Sequence, residues 1–133
     1  MKPDDPTAAA PALNPGPVIP ITIEGNPNRV VVSAGGRIVA DTVNALTLRE
    51  VGYPPVQYIP PEDVDVSLLE PTSHATHCPY KGDAAYFSIP IGGERSVNAA
   101  WTYKTPYDAV AQIESHLAFY PDRVDAIEER PGG

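Results

Sequence analysis

The residues best suited to chemistry lie in one short stretch, residues 76–86, which contains the only cysteine of the chain. Cys78 could act as a nucleophile if a neighbouring group, His77, Lys81 or His74, favoured its thiolate form. The alternative is a structural thiol, because free cysteine is among the most buried residue types. We therefore take Cys78, Lys81 and His77 as the candidate catalytic residues and leave both interpretations of the cysteine open.

A metal site in this stretch would need three or more ligands from His, Cys, Asp or Glu. Pro79 favours an extended backbone in the residue before it, and in an extended chain His77 and Cys78 point to opposite faces. His74 would share the Cys78 face, so a third ligand would have to come from the distant His116. We predict neither a metal site nor a cofactor.

The Lys81-Gly82-Asp83 run is either a solvated turn or a small anion site. In the second interpretation the Lys81 ammonium and the amides near Gly82 would face a phosphate or carboxylate. The run does not match the phosphate loop Gly-x4-Gly-Lys-Ser/Thr. Asp63 and Asp65 form a further carboxylate pair, which we interpret as solvated surface because aspartate is rarely buried.

Several aromatic residues with polar tips could wall a groove for a flat or ring-bearing ligand, although core packing would explain them equally well. In the groove that we predict, aromatic walls lead to a polar end formed by the stretch around Cys78. The predicted ligand-binding residues are Tyr58, His77, Cys78, Tyr80, Lys81, Trp101 and Tyr103.

The length and composition predict one β-rich domain. The chain has 133 residues, of which 42% are hydrophobic and 17 are proline. Frequent proline favours short extended segments and turns over a helical bundle. We expect a flexible Pro/Ala-rich leader at residues 1–17, a globular domain at residues 18–128, and a frayed tail at residues 129–133.

The charge balance bears on partners. Nine Lys and Arg residues oppose 17 Asp and Glu residues, for a net charge of −8. A field of this sign repels polyanions, so we expect neither nucleic acid nor a membrane as a partner. A single cysteine fits a reducing compartment, and the predicted localisation is cytoplasmic. We expect a small-molecule ligand, and the oligomeric state stays open.

Two hairpins and one helix are the most clearly patterned of the predicted elements. Residues 29–33 and 37–42 flank a Gly35-Gly36 turn, and residues 85–91 and 96–103 flank a turn at Gly92-Gly93, with Trp101 in the core. Residues 44–50 are either a short helix or a strand, and the strand is favoured.

The predicted helix begins at Thr105, a suitable N-cap that Pro106 follows, and runs to about Phe119. Its apolar stripe comprises Val110, Ile113 and Leu117. The predicted fold is therefore mainly β (α+β), with compact antiparallel sheets or an open barrel or β-tent-like arrangement and one C-terminal α-helix.

Several segments together resemble a small bacterial family that is catalogued as a domain of unknown function and sometimes labelled a nucleotidyltransferase. They are Thr76-His77-Cys78-Pro79-Tyr80-Lys81-Gly82, Ala100-Trp101-Thr102-Tyr103, Leu117-Ala118-Phe119-Tyr120 and Asp122-Arg123-Val124. The resemblance spans residues 18–128. It implies a compact, mainly antiparallel β domain with one helix, and a common pocket at the Cys-Pro-Tyr-Lys-Gly and Trp-x-Tyr segments.

The resulting functional hypothesis is a domain that binds a small anionic or ring-bearing ligand near residues 78–81. Two alternatives stay open. One is an enzyme, either of the nucleotidyltransferase type or using Lys81 or Cys78 on a small ligand. The other is a structural or regulatory interaction module.

Overall fold

Three open antiparallel sheets form the part of the chain that the computed structural model describes, residues 21–131. The first sheet has the order β1 (Ile21–Gly25), β4 (Leu46–Glu50), β5 (Val56–Tyr58). The second has the order β10 (Ala126–Arg130), β2 (Arg29–Ala34), β3 (Arg37–Thr42). The third has the order β6 (Glu70–Cys78), β7 (Gly82–Ser88), β8 (Ala100–Tyr103), β9 (Leu117–Phe119). This confirms the prediction of a mainly β fold with antiparallel sheets.

The predicted C-terminal α-helix is wrong, because residues 21–131 contain only short 3-10 helices besides the strands. The 3-10 segments are Pro61–Asp63, Val66–Leu68, Pro90–Ser96, Asp108–Ile113 and Pro121–Arg123. Val110 interrupts the helical geometry with φ −124° and ψ 27°, and Ser115 has a φ of 60°. The residues from Leu117 onward pair with β8 instead, although Val110 and Ile113 are still buried.

The first predicted hairpin is confirmed, and the second is confirmed only in its strand pairing. Gly35 and Gly36 link β2 to β3 with φ values of 60° and 79°. Strands β7 and β8 are antiparallel neighbours, but the connection between them contains the 3-10 segment Pro90–Ser96 rather than a tight turn at Gly92-Gly93.

The other predicted boundaries fare differently. The strand favoured for residues 44–50 is present as β4. Strand β10 continues to Arg130 and pairs with β2, so the predicted frayed tail is wrong for its first two residues. The predicted leader, residues 1–17, lies outside the described residues.

Backbone hydrogen bonds join the first and third sheets directly. Ile59 follows β5 and exchanges two hydrogen bonds with Leu117 of β9, each 2.8 Å long between nitrogen and oxygen. Because this is a reciprocal pair, it fixes the register between the two sheets. Within residues 21–131, no helix is long and apolar enough to cross a membrane.

The hydrophobic core has two parts. One packs valines of β2 and β3 against Ile59, Ile89 and Phe119. The other is aromatic and contains Trp101, which is 2% exposed, as the sequence predicts for a core residue. The Trp101 indole N–H donates to the Tyr58 hydroxyl over 3.2 Å, so the polar atoms of these two side chains pair with each other.

Replacing each glycine of the β2–β3 turn by alanine should separate steric clash from backbone strain. A Cβ on Gly36 meets nothing within 4 Å, so Gly36→Ala should cost about 1–2 kcal/mol for the left-handed conformation alone. A Cβ on Gly35 would lie 2.3 Å from the Ile91 carbonyl oxygen, so Gly35→Ala should cost clearly more. Urea denaturation measures both. Equal losses would contradict the close packing of this turn on Ile91.

Candidate functional site

A cavity of about 490 Å³ lies where the three sheets meet. Every sheet contributes to its wall, through Val32 of β2, Gln57 of β5, Trp101 of β8 and Ile127 of β10. The other lining residues are Tyr53, Pro54, Pro55, Val56, Ile59, Phe119, Tyr120, Pro121 and Glu129. The wall is therefore mostly apolar and aromatic, with a few polar groups.

The aromatic part of the wall is held in position by neighbouring rings and hydroxyls. The Tyr120 ring centroid lies 4.4 Å from that of Trp101. The Arg123 guanidinium lies over the Tyr120 ring, 4.9 Å from its centroid. The Tyr120 hydroxyl is 3.3 Å from the Tyr86 hydroxyl, which is 3.1 Å from Thr76 Oγ1. The orientation of Tyr120 is therefore set by Arg123 and Tyr86, neither of which lines the cavity.

The polar part of the wall depends on Asn26, which lies in the loop between β1 and β2 and is 9% exposed. Its Nδ2 donates to Gln57 Oε1 over 2.9 Å and to Glu129 Oε1 over 3.3 Å. Thr47 Oγ1 also donates to Gln57 Oε1, over 2.9 Å. We call Asn26, Gln57 and Glu129 the polar frame, since one buried amide holds the two lining side chains.

The electrostatic character of the cavity follows from Glu129. Of the described residues that line the cavity, Glu129 is the one acidic residue, and none is Lys or Arg. Glu129 is exposed at the rim of the mostly apolar wall, and its acidic side chain favours neutral or cationic ligands over anions.

The predicted aromatic walls divide between the cavity and the core. Trp101 lines the cavity, whereas Tyr58 and Tyr103 are fully buried behind it. The Tyr58 ring contacts the Trp101 ring edge-on, with centroids 6.3 Å apart, and lies 6.5 Å from the Tyr103 ring. These two tyrosines support the tryptophan and do not border open space.

The predicted polar end is not part of this cavity. Lys81 lies at the tip of the β6–β7 hairpin, where its Nζ donates to Glu50 Oε1 over 2.7 Å, and the two side chains are 1% and 5% exposed. Cys78 is fully buried and Tyr80 packs against the aromatic core. His77 faces solvent and pairs with Asp83, with 2.6 Å between Nδ1 and Oδ1.

Lys81 turns inward to Glu50, and of the seven predicted ligand-binding residues only Trp101 lines this cavity. A ligand-binding role for the other six stays a prediction. Among residues 21–131, no group of three or more His, Cys, Asp or Glu side chains is arranged to hold a metal ion.

The environment of Cys78 favours the neutral thiol. Burial raises the pKa of this thiol, and the raising effect outweighs the opposite effect of the nearby Lys81 ammonium. Since the thiolate is the reactive form, the structural interpretation of Cys78 fits this environment better than the nucleophilic one.

Sequence reasoning missed most of the cavity residues. Gln57 is the only strongly polar residue in the run from Pro54 to Ile59, and that isolation was the available signal. Asn26 is a residue type typical of turns, and Glu129 falls in the predicted frayed tail. Nothing local connects these three, because they are separated by 31 and 103 positions along the chain.

The buried ion pair should be costly to break from one side. Lys81→Met leaves the Glu50 carboxylate buried without its cation, so the free energy of unfolding should fall by about 3–5 kcal/mol. The double variant Lys81→Met/Glu50→Leu removes both charges and should recover most of this loss. Urea denaturation of the variants measures the difference.

The exposed pair Arg29–Asp41, 2.6 Å long, is the matched control for this comparison. Asp41→Asn should change stability far less than Lys81→Met does, because solvent screens an exposed pair. A double variant at Lys81 and Glu50 as unstable as the single variant would contradict the role that we give to charge burial.

Cys78 should resist alkylation in the folded protein. At pH 7.5, iodoacetamide should label Cys78 slowly in buffer and rapidly in concentrated urea, because folding both covers the thiol and disfavours its thiolate. Mass spectrometry measures both rates. Rapid labelling of the folded protein, with a midpoint at or below the ordinary thiol value of ~8.5, would instead indicate an accessible, activated cysteine.

The comparisons with known proteins agree with the resemblance seen in the motifs. None of the curated proteins matches the sequence. The family model labelled NTP_transf_9, and described as a domain of unknown function, matches residues 22–130, which cover all three sheets. The chain therefore belongs to the DUF427 family.

Proposed function

We propose that this chain is a binding domain for a small, ring-bearing molecule, which it holds in the cavity between the three sheets. The cavity volume of about 490 Å³ carries the proposal. It falls within the range of roughly 300–1,000 Å³ that is typical of small-molecule sites, and its mostly apolar wall is typical of them as well.

The lining supports a ring as the bound part of the ligand. The walls comprise aromatic and proline side chains, among them Tyr53, Pro54, Trp101 and Tyr120. Rigid, flat surfaces of this kind give a planar ligand a large apolar contact at little cost in side-chain entropy. The few polar groups then have the task of orienting it.

The sequence is also compatible with an anionic ligand, but we do not propose one for this cavity. Glu129 would repel an anion there, and the chain as a whole carries a net charge of −8. Both effects act in the same direction, since a long-range negative field also lowers the local concentration of anions.

The family label makes nucleotidyl transfer the competing hypothesis. A nucleoside triphosphate would bring a ring suited to the cavity and phosphates that need cationic partners. Arg123, beside Tyr120, is a cation near this site, but its guanidinium donates to the carbonyl oxygens of Val97 and Asn98. Nucleotides are therefore the comparison arm of the binding experiment.

Small neutral ring compounds such as benzamide and phenol should bind at millimolar concentration and raise the melting temperature by a few degrees. Ligand at ten times its dissociation constant stabilises the folded state by about 1.4 kcal/mol. Trp101, the single tryptophan of the chain, lines the cavity, so its emission should change over the same concentration range. ATP with magnesium should have no such effect.

Two valine-to-phenylalanine variants provide the control. Val56→Phe adds a ring to the cavity wall and should abolish the response, whereas Val97→Phe makes the same change at a position that is 51% exposed. Val97→Phe should keep the response. If no ring compound alters Trp101 emission in the full chain, the binding proposal fails, and a structural or regulatory module becomes the better hypothesis. A response to ATP with release of pyrophosphate would favour the transferase.

A further inference from the structure

We propose that Gln57 and Glu129 select the ligand, and that the cavity takes a ring carrying a carboxamide-type edge, with a carbonyl acceptor beside an N–H donor. This inference rests on the proposed function and names the chemical class of its ligand. Ring carboxamides and lactams present such an edge.

The orientation of Asn26 is set by the backbone. The Asn28 amide N–H donates to Asn26 Oδ1 over 2.8 Å. A backbone N–H can only donate, so the atom that it contacts must be the side-chain oxygen of Asn26. The opposite branch of this amide is therefore Nδ2, a donor, and it faces Gln57 and Glu129.

The orientation of Gln57 follows from that of Asn26. The branch of Gln57 that faces Asn26 Nδ2 must be the acceptor, Oε1, and Thr47 Oγ1 donates to the same oxygen. The amide nitrogen of Gln57 then occupies the other branch. Since Gln57 lines the cavity, this nitrogen is the donor that it offers to a ligand acceptor.

Glu129 contributes the complementary group. Its Oε1 accepts hydrogen bonds from Asn26 Nδ2 and, over 3.2 Å, from Asn28 Nδ2. The second carboxylate oxygen is the acceptor that it offers to a ligand. Gln57 and Glu129 both accept from the same Asn26 nitrogen and both line the cavity, so we place the donor of Gln57 and the second oxygen of Glu129 at the same end of it.

Three benzene derivatives of nearly equal shape test this pattern. Benzamide carries an acceptor and a donor, benzoate carries two acceptors, and the benzamidinium ion carries donors on both sides. Benzamide can pair with both Gln57 and Glu129, whereas benzoate can pair with Gln57 alone and places an acceptor against the Glu129 carboxylate. Benzamide should therefore bind the full chain at least about tenfold more tightly than benzoate, as expected for one lost charged hydrogen bond.

Two substitutions should exchange the preference while keeping the polar frame. Gln57→Glu retains an oxygen for Asn26 and Thr47 but replaces the outer donor by an acceptor, so benzamidinium should gain about tenfold over benzamide. Glu129→Gln retains an oxygen for Asn26 and Asn28 but presents an outer donor, so benzoate should become the preferred ligand. Gln112→Glu and Glu128→Gln make the same chemical changes at positions that do not line the cavity and should leave the order unchanged.

Titration of Trp101 emission, with thermal unfolding as a check that each variant folds, gives the affinities. Exchanged preferences in both variants, with unchanged controls, support the inference. If the three compounds bind and their order is the same in all variants, selection by Gln57 and Glu129 is wrong and the binding proposal survives. If no compound binds the natural chain, the proposed function itself fails, and the selection inference fails with it.

Discussion

The buried ion pair between Lys81 and Glu50 sets the arrangement on which the rest of the structure depends. Moving two charges out of water is expensive, so such a pair is tolerated only where close geometry offsets the loss of hydration. Here Glu50 ends β4 of the first sheet and Lys81 lies between β6 and β7 of the third. An alternative packing of the two sheets would separate the charges inside the protein, and that penalty favours a single arrangement.

The two sheets are joined a second time by the backbone pair between Ile59 and Leu117. With the sheets fixed at both places, β5 and β8 have a set distance, and Gln57 and Trp101 face the same space. The second sheet completes the wall through β2 and β10. The cavity thus exists because three small sheets, each too narrow to enclose a volume, pack around a shared centre.

The local features of the fold were predictable from sequence, and the features that depend on distant contacts were not. Two glycines between runs of β-branched residues predict the Gly35-Gly36 hairpin, and the alternation of residues around Trp101 predicts a buried face. The helix prediction at residues 105–119 identified the buried residues correctly, since Val110, Ile113 and Leu117 are all inside. It assigned the wrong period because pairing of Leu117 with Thr102 competes with the helix and is invisible locally.

The candidate site shows the same division. Trp101 was recognisable as a large apolar residue in a strand, and it does line the cavity. The burial of Lys81 could not be predicted, because its partner Glu50 lies 31 positions away and the local sequence of neither residue indicates the pairing. The polar frame was beyond sequence reasoning for a similar reason, since its members come from a loop, a short strand and the last strand.

The buried side-chain amide of Asn26 determines when this site can form during folding. Its hydrogen bonds reach Gln57, 31 positions away, and Glu129, 103 positions away near the end of the described chain. Contacts of this kind close large loops and form late in folding. No partly folded intermediate or truncated fragment would present the complete polar frame. If a ligand binds there as proposed, occupancy of the cavity would consequently report that the last strand has docked.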